Sequence, residues 1–238
     1  MDRGLWISWY DVVDANKKEY LSWLHEQYLP GILKRTGVTW AAHYATEKMP
    51  PPSRLGHTED ASVPQGGEYI LLIGGETAHA FSPPRPGEPA QDVTRADSEM
   101  RGLRRRERVS IMTEEARVQG PASATHTGAG PTRCIQLGSF NAGSHAGGDD
   151  ELLAWYARWR LPCMEKLPGV VRVRKMVGVT GWSRHAVLYE FTSLAERNAH
   201  FPAHEKPYPD LERWSDKVVR ALVHAPGSPH VAQRVWPA

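Results

Sequence analysis

The sequence predicts an α+β protein built from two copies of the same folding unit. Residues 23–38 align without a gap with residues 155–170, and six of the sixteen positions are identical. Two distant copies indicate a duplicated domain rather than a repeat array. Around each copy the hydrophobic pattern predicts the order strand, helix, strand, strand, helix, strand, which is that of the ferredoxin-like unit. Because each sheet leaves one apolar face uncovered by its helices, we predict tandem ferredoxin-like (βαββαβ) repeats that form an α+β barrel.

The predicted halves are residues 1–118 and 132–238, joined by a linker at residues 119–131 that holds small and polar residues. In the first half, Asn16 three residues before Glu19 predicts the start of a helix, and Pro30 predicts its kink or end. The other elements predicted there are strands at residues 5–10, 38–45, 68–74 and 108–118, a helix at 92–106, a loop at 50–67 and irregular structure across the prolines of residues 82–91.

The second half repeats this order. We predict helices that Asp149 and Asp210 cap, and a tight turn at Gly181 and Trp182. The predicted strands are residues 133–140, 170–179, 184–191 and 231–236.

Composition excludes several classes of protein. The net charge of +2 is too small to indicate nucleic acid, and no apolar run reaches the length of a membrane span. The first residues have no export pattern, and two cysteines make no disulfide framework. We therefore expect a cytoplasmic protein with a small-molecule partner, no nucleic acid or membrane partner, and the possibility of a homodimer.

Alternation along the strands predicts which side chains face the barrel lumen. In the second half these are Arg172, Arg174 and Met176 on one strand, with Glu190 on its neighbour. A turn centred on residue 182 places Arg174 directly opposite Glu190, a favourable cross-strand pair. The corresponding residues of the first half are Trp40, Ala42 and Tyr44, and its first strand adds Trp6 and Tyr10, so the first half offers an aromatic wall where the second offers guanidinium groups. The predicted substrate-binding residues are Trp6, Tyr10, Trp40 and Tyr44 of the first half, with Phe140 and Met176 of the second.

Each of these side chains also has a structural interpretation. The aromatic rings can simply fill the barrel, and Arg174 with Glu190 can be a structural ion pair. His200 and His204 have the spacing of metal ligands on a helix, but Pro202 lies between them and no third ligand is evident, so we predict no metal site. His25 is replaced by Ala157 in the second copy, and the sequence leaves its role open.

A junction between helix and strand in the second half resembles the dimeric α+β barrel superfamily, and more narrowly its EthD-like branch. The residues that carry the resemblance are Trp155, Leu161, Pro162, Leu167, Pro168, Gly169 and Val170, followed by Tyr189–Leu194. That family often has a histidine two residues before the proline, where this chain has Tyr28 and Arg160. The resemblance implies a fold that hosts cofactor-free monooxygenases, isomerases, haem proteins and members without known activity.

Three functions are open at this point. The first is a cofactor-independent enzyme of monooxygenase, isomerase or lyase type that acts on an aromatic or polyketide-like oxygenated substrate in the lumen. Arg172, Arg174 and Glu190 are its predicted catalytic residues, and the aromatic wall its predicted substrate site. The second is a haem protein of chlorite-dismutase-like type, and the third is a binding or stress protein without catalysis.

Overall fold

The computed structural model describes residues 2–49, 54–82, 94–143 and 147–237. It confirms the predicted fold class. The first half consists of β1 (Gly4–Val12), α1 (Asp14–Trp23), α2 (Leu29–Ile32), β2 (Val38–Thr46), β3 (Gly56–His57), β4 (Tyr69–Gly75), α3 (Arg95–Arg101) and β5 (Arg104–Gln119). The second half consists of β6 (Cys134–Ala142), α4 (Gly148–Trp155), α5 (Leu161–Met164), β7 (Val170–Thr180), β8 (His185–Phe191), α6 (Leu194–His200), α7 (Pro209–Arg220), β9 (Leu222–His224) and β10 (His230–Trp236).

Eight strands close into one barrel. Their order is β10, β2, β4, β1, β5, β7, β8 and β6, and β6 pairs again with β10. Each half keeps its four strands together, and the two sheets join edge to edge where β5 pairs with β7 and where β10 pairs with β2. The short strands β9 and β3 extend the sheet outside the barrel, next to β6.

The duplicated stretch has the same shape in both halves. Residues 24–28 and 156–160 form a wider helical turn that joins α1 to α2 and α4 to α5. Gly37 and Gly169 then adopt positive φ angles of 81° and 77°, which glycine tolerates best, and lead into β2 and β7. The predicted kink at Pro30 is therefore a widened turn, after which the helix continues to Ile32.

Several predicted boundaries are wrong. The first helix starts at Asp14 and has no side-chain cap, so Asn16 lies inside it. Asp149 and Asp210 lie in the first turns of α4 and α7, but neither caps its helix. The predicted helix at residues 92–106 is only Arg95–Arg101, because β5 begins at Arg104. Residues 83–91 of the proline-rich segment lie outside the described residues.

Three separate cores hold the molecule together. One fills the lumen, and one lies between sheet and helices in each half. The lumen core contains Leu5, Ile7 and Trp9 of β1, together with Ile135 and Leu137 of β6. Among the described residues, no helix is long and apolar enough to cross a membrane.

The predicted lumen positions of Trp6, Tyr10 and Phe140 are therefore wrong. Trp6 and Tyr10 pack under the helices of the first half, and Phe140 under those of the second. Both faces of β1 and β6 are almost completely buried. Hydrophobicity therefore does not show which alternate residues face the lumen and which face the helices. An error of one residue in the assignment moves every side chain to the other face.

Candidate functional site

The lumen holds six of the predicted site residues. Arg172, Arg174 and Met176 of β7, Glu190 of β8, and Trp40 and Tyr44 of β2 lie on its inner face, as expected. Trp40 donates its indole N–H to Asp2 Oδ2 at 2.7 Å, and the Tyr44 hydroxyl donates to the Thr132 carbonyl at 2.8 Å. These polar groups are already satisfied within the protein, and the lumen is filled by side chains.

The charged residues of the lumen form two ion-pair groups. Arg172 donates to both carboxylate oxygens of Glu190, at 2.7 and 2.9 Å. Arg174 donates to Glu114 at 2.7 Å and to Asp2 Oδ2 at 3.0 Å. The Arg174 and Glu190 side chains are completely buried. The roles of all six lumen residues in binding or catalysis stay predictions.

The predicted pairing of Arg174 with Glu190 is wrong. In β7 and β8, Arg172 lies opposite Glu190, and Arg174 lies opposite Leu188. The hairpin is centred on Gly181, which has a φ of 100°, rather than on Trp182. A shift of two positions along one strand preserves the inward face but changes each cross-strand partner.

A large pocket lies outside the lumen, between the sheet of the second half and its helices. It has a volume of about 710 Å³, which is within the range of small-molecule sites. Its wall is mainly aromatic and aliphatic, and it includes Phe140, one of the predicted substrate-binding residues. Other residues of the wall are Trp155, Tyr156, Val187, Tyr189, Phe201, Val219 and Leu222.

Arg160 is the central polar residue of this pocket. Its Nε donates to the Tyr189 hydroxyl at 2.9 Å, and its Nη1 donates to Glu205 at 3.0 Å and to His204 Nε2. The guanidinium also lies 5.0 Å from the centre of the Phe201 ring. Its second terminal nitrogen, Nη2, has no hydrogen-bond partner within the described ranges. Arg160 can therefore offer the two N–H groups of Nη2 to a ligand in the pocket.

His204 and Glu205 hold Arg160 in place. His204 Nδ1 donates to the Phe201 carbonyl, which leaves Nε2 as the acceptor for Arg160. Burial and the charge of Arg160 lower the pKa of His204 to about 4, so the ring is neutral at pH 7. Burial alone would raise the pKa of Glu205, but Arg160 and the Ser215 hydroxyl lower it below its usual value. The carboxylate is thus ionised and anchors the guanidinium.

Two histidines lie farther along the pocket wall. His224 Nδ1 interacts with the Gly56 carbonyl at 3.2 Å, and His57 Nε2 with the Ser228 carbonyl at 2.7 Å. The His224 ring lies 5.4 Å from that of Phe140. Burial lowers the pKa of His224 to about 4. The ring is consequently neutral at pH 7. Because the Gly56 carbonyl can only accept, Nδ1 carries the proton of the neutral ring, and Nε2 can accept a hydrogen bond.

Reasoning from the sequence missed most of this site. Arg160 stands where the resembling family often has a histidine, and this is the one sequence signal that marks it. His204 was considered as a metal ligand, but within the described ranges no group of three or more His, Cys, Asp or Glu side chains could hold a metal ion. Glu205 and His224 carry no local sequence signal, because distant segments bring them to the pocket.

Comparison with known proteins supports the fold. No protein-family model matches the sequence, and no curated protein matches it significantly. Among solved structures, an anthrone oxidase-like protein matches with a TM-score of 0.64 and 11% identity, over 98% of this chain and 91% of its own. A candidate monooxygenase from Fusobacterium nucleatum matches with a TM-score of 0.58 and 9% identity, over 98% and 93%.

A candidate chlorite dismutase also matches, with a TM-score of 0.52 and 10% identity, over 99% of this chain and 95% of its own. At such low identity the matches report on architecture alone. The EthD-like resemblance stays a prediction. This chain has the α+β barrel fold of these proteins, with two ferredoxin-like halves in a single chain.

Proposed function

We propose that the chain binds an oxygenated aromatic molecule in the second-half pocket and converts it without a cofactor, as an oxygenase or isomerase. The observation that carries this proposal is Arg160. Its buried guanidinium lies in an aromatic pocket, and Nη2 has no hydrogen-bond partner among the residues that the structure describes. A preorganised cation of this kind stabilises negative charge that develops on a substrate oxygen.

His224 is the proposed base. Its Nε2 atom takes a proton from a carbon next to the substrate carbonyl, and the electron pair of that C–H bond moves into an enolate. Arg160 stabilises the enolate oxygen. In an isomerase the proton returns to another atom of the substrate. In an oxygenase the enolate carbon forms a bond to molecular oxygen, His224 returns its proton to the peroxide, and the O–O bond breaks with loss of water to leave a carbonyl. Because the pKa of His224 is about 4, proton removal from the substrate is the slow step and proton return is the fast one.

The test uses anthrone as a probe of this substrate class. We expect anthrone or a hydroxylated anthraquinone to quench the fluorescence of the pocket tryptophan Trp155. The Arg160→Met variant should bind about 10–100 times more weakly, since a hydrogen bond to a charged group contributes about 1.5–3 kcal/mol. Oxygen uptake and anthraquinone absorbance report any turnover.

Arg158→Met is the matched control, because Arg158 lies in the same helical turn but is exposed. It should bind the probe as the wild type does. Equal binding by the wild type and Arg160→Met, with both variants folded, would refute the proposal. Binding that requires Arg160 without any conversion of the probes would instead support a non-catalytic binding protein.

Haem binding is the second candidate, and His224 favours it. Haem iron is commonly held by a histidine whose other nitrogen donates to a carbonyl or carboxylate. His224 fits this pattern through Gly56, and Arg54 and Arg197 on the pocket wall could pair with the propionates. Bound haem would supply redox chemistry at its iron. A Soret band that appears with wild type and His200→Gln but not with His224→Gln would support this function, and an unchanged haem spectrum would exclude it.

A further inference from the structure

One end of the barrel lumen contains buried hydrogen-bond donors that have no acceptor among the described residues. On the paired strands β1 and β5, Trp9 lies opposite Arg108, and Ile7 lies opposite Ser110. Trp9 and Ile7 belong to the lumen core, so Arg108 and Ser110 also face inward. The side chains of Trp9, Arg108 and Ser110 therefore lie on one inner surface, and all three residues are buried.

Four polar atoms on this surface have no hydrogen-bond partner among the described residues. They are Nε1 of Trp9, Nε and Nη2 of Arg108, and the hydroxyl oxygen of Ser110. The first three can only donate, and the hydroxyl can donate as well. Buried donors of this kind are normally satisfied, because leaving one unpaired costs about 1–3 kcal/mol.

Arg108 also differs from other buried arginines of the molecule in its charge environment. Arg104, Arg160, Arg172 and Arg174 each form an ion pair with a carboxylate. Arg108 instead donates Nη1 to the Pro64 carbonyl at 3.0 Å and lies 4.5 Å from the centre of the Trp9 ring. Burial lowers its pKa to about 10, and no carboxylate of the described residues offsets that effect. A buried charge without a counter-charge is strongly unfavourable.

Further unpartnered groups lie around the same end of the barrel. His230 of β10 pairs across the strands with Leu137, a lumen residue, and Ser139 follows Leu137 on the same face of β6. His230 Nδ1 and the hydroxyls of Ser139 and Ser183 have no partner within the described ranges. Burial, followed by the charges of Arg108 and His57, lowers the pKa of His230 to about 3. His230 is therefore neutral at pH 7, and Arg108 is the cation of this group.

We propose that this end of the lumen binds a small, singly charged anion, held by Arg108, Ser110 and the indole N–H of Trp9. One guanidinium among neutral donors balances one negative charge. Because each of these donor atoms is almost inaccessible to solvent, a side chain must shift to admit an ion, and this limits the ion to a small one such as chloride.

Thermal unfolding in sodium chloride and in sodium gluconate, at equal ionic strength, tests the proposal. Ligand that binds only the folded state raises its stability in proportion to the logarithm of concentration. The Tm of the wild type should therefore rise by about 3–5 °C for each tenfold increase of chloride above its dissociation constant, and not in gluconate. The same Tm in both salts would overturn the proposal.

Two variants locate the effect. Arg108→Met should lose the difference between chloride and gluconate, whereas Arg105→Met, which removes an exposed arginine of the same strand, should keep it. If Arg108→Met does not fold, Ser110→Ala should show a smaller chloride effect with the positive charge intact. Bromide in crystals provides a direct readout: an anomalous peak beside Arg108 supports the site, and its absence there contradicts it.

Discussion

Each half has a layer between its sheet and its helices, and the two layers share a backbone arrangement but differ in their side chains. In the first half the layer is filled by hydrogen-bonded side chains. His25 Nε2 lies 2.8 Å from His43 Nδ1, and His43 Nε2 lies 2.8 Å from the Tyr10 hydroxyl. Tyr10 in turn contacts Tyr20, whose hydroxyl accepts a hydrogen bond from Arg104 at 2.7 Å. In the second half the same layer contains the pocket around Arg160.

The difference can be traced to a few positions of the duplicated stretch. His25 corresponds to Ala157, so the second half lacks the ring that contacts β2 in the first. Tyr28 corresponds to Arg160, and Tyr28 packs on Trp23 with ring centres 4.8 Å apart. Arg160 thus brings a guanidinium into the layer of the second half, and Ala157 leaves out the imidazole that pairs with His43 in the first. We infer that the first half chiefly stabilises the barrel, while the second half binds the ligand.

The largest expected effect is a loss of folding stability when a charged residue is removed from the layer between sheet and helices in the first half. Arg104→Met removes the cation that pairs with Glu107 and contacts Tyr20. Removing one partner of a buried ion pair costs about 3–5 kcal/mol. Chemical denaturation should show this loss, and probe binding in the second-half pocket should be unchanged wherever the variant is folded.

Arg105→Met is the control for this prediction, because Arg105 is exposed on the same strand. Its stability should lie within about 0.5 kcal/mol of the wild type. A loss of ligand binding in folded Arg104→Met would show that the two layers are not functionally separate.

The second prediction concerns acid stability. The pKa values of His204 and His224 are lowered to about 4 in the folded protein, from 6.5. The unfolded chain therefore takes up protons at a higher pH than the folded one, and stability is lost as the pH falls from about 6.5 to 4. His224 alone contributes up to about 3 kcal/mol to this loss. Tm measured between pH 7 and 4.5 should fall less steeply in His224→Gln, and an identical slope would contradict the buried, neutral state of the ring.

A larger side chain in the second-half pocket should weaken binding of the aromatic probe and change the folding stability little. Gly138 lines the pocket, and a Cβ atom placed there would meet Val187 Cγ1 at an ordinary 3.4 Å. Gly138→Leu should therefore weaken binding of the aromatic probe at least about tenfold, roughly 1.4 kcal/mol, by occupying ligand space. Gly138→Ala is the matched variant and should bind nearly normally. Equal binding by both variants in fluorescence titration would place the ligand elsewhere.

The smallest effect is expected at the edge of the packed layer. His25 is half-buried and contacts His43 and Trp236. Its replacement by alanine, the residue at the equivalent position of the second half, removes one hydrogen bond and should cost about 0.5–1.5 kcal/mol. Denaturant midpoints test this value. Any change in probe binding or turnover would assign His25 a functional role.

The sequence predicted the duplicated fold better than the residues that line the pocket of the second half. The repeat around Trp23 and Trp155 identified the duplication, and the order of strands and helices identified the unit. Alternation placed Arg172, Arg174 and Trp40 on the correct face, because β2 and β7 begin beside the aligned glycines Gly37 and Gly169. It failed for Trp6, Tyr10 and Phe140, since strands buried on both faces carry no alternating signal.

The site itself depends on contacts between distant segments. His204 and Glu205 come from the segment between α6 and α7, His57 from β3, and His224 from β9. Nothing in their local sequence indicates that they converge on one wall. The uncovered sheet face also suggested a ligand in the lumen, whereas large side chains fill that space and the pocket forms on the opposite side of the sheet.

The most direct test of the account is a crystal structure with a hydroxylated anthraquinone bound. We predict that the ring system lies between the second sheet and its helices, against Phe140 and Phe201, with an oxygen within hydrogen-bond distance of Arg160 Nη2. A ligand in the barrel lumen, beside Trp40 and Arg174, would contradict the central claim that the second helix-covered layer is the site.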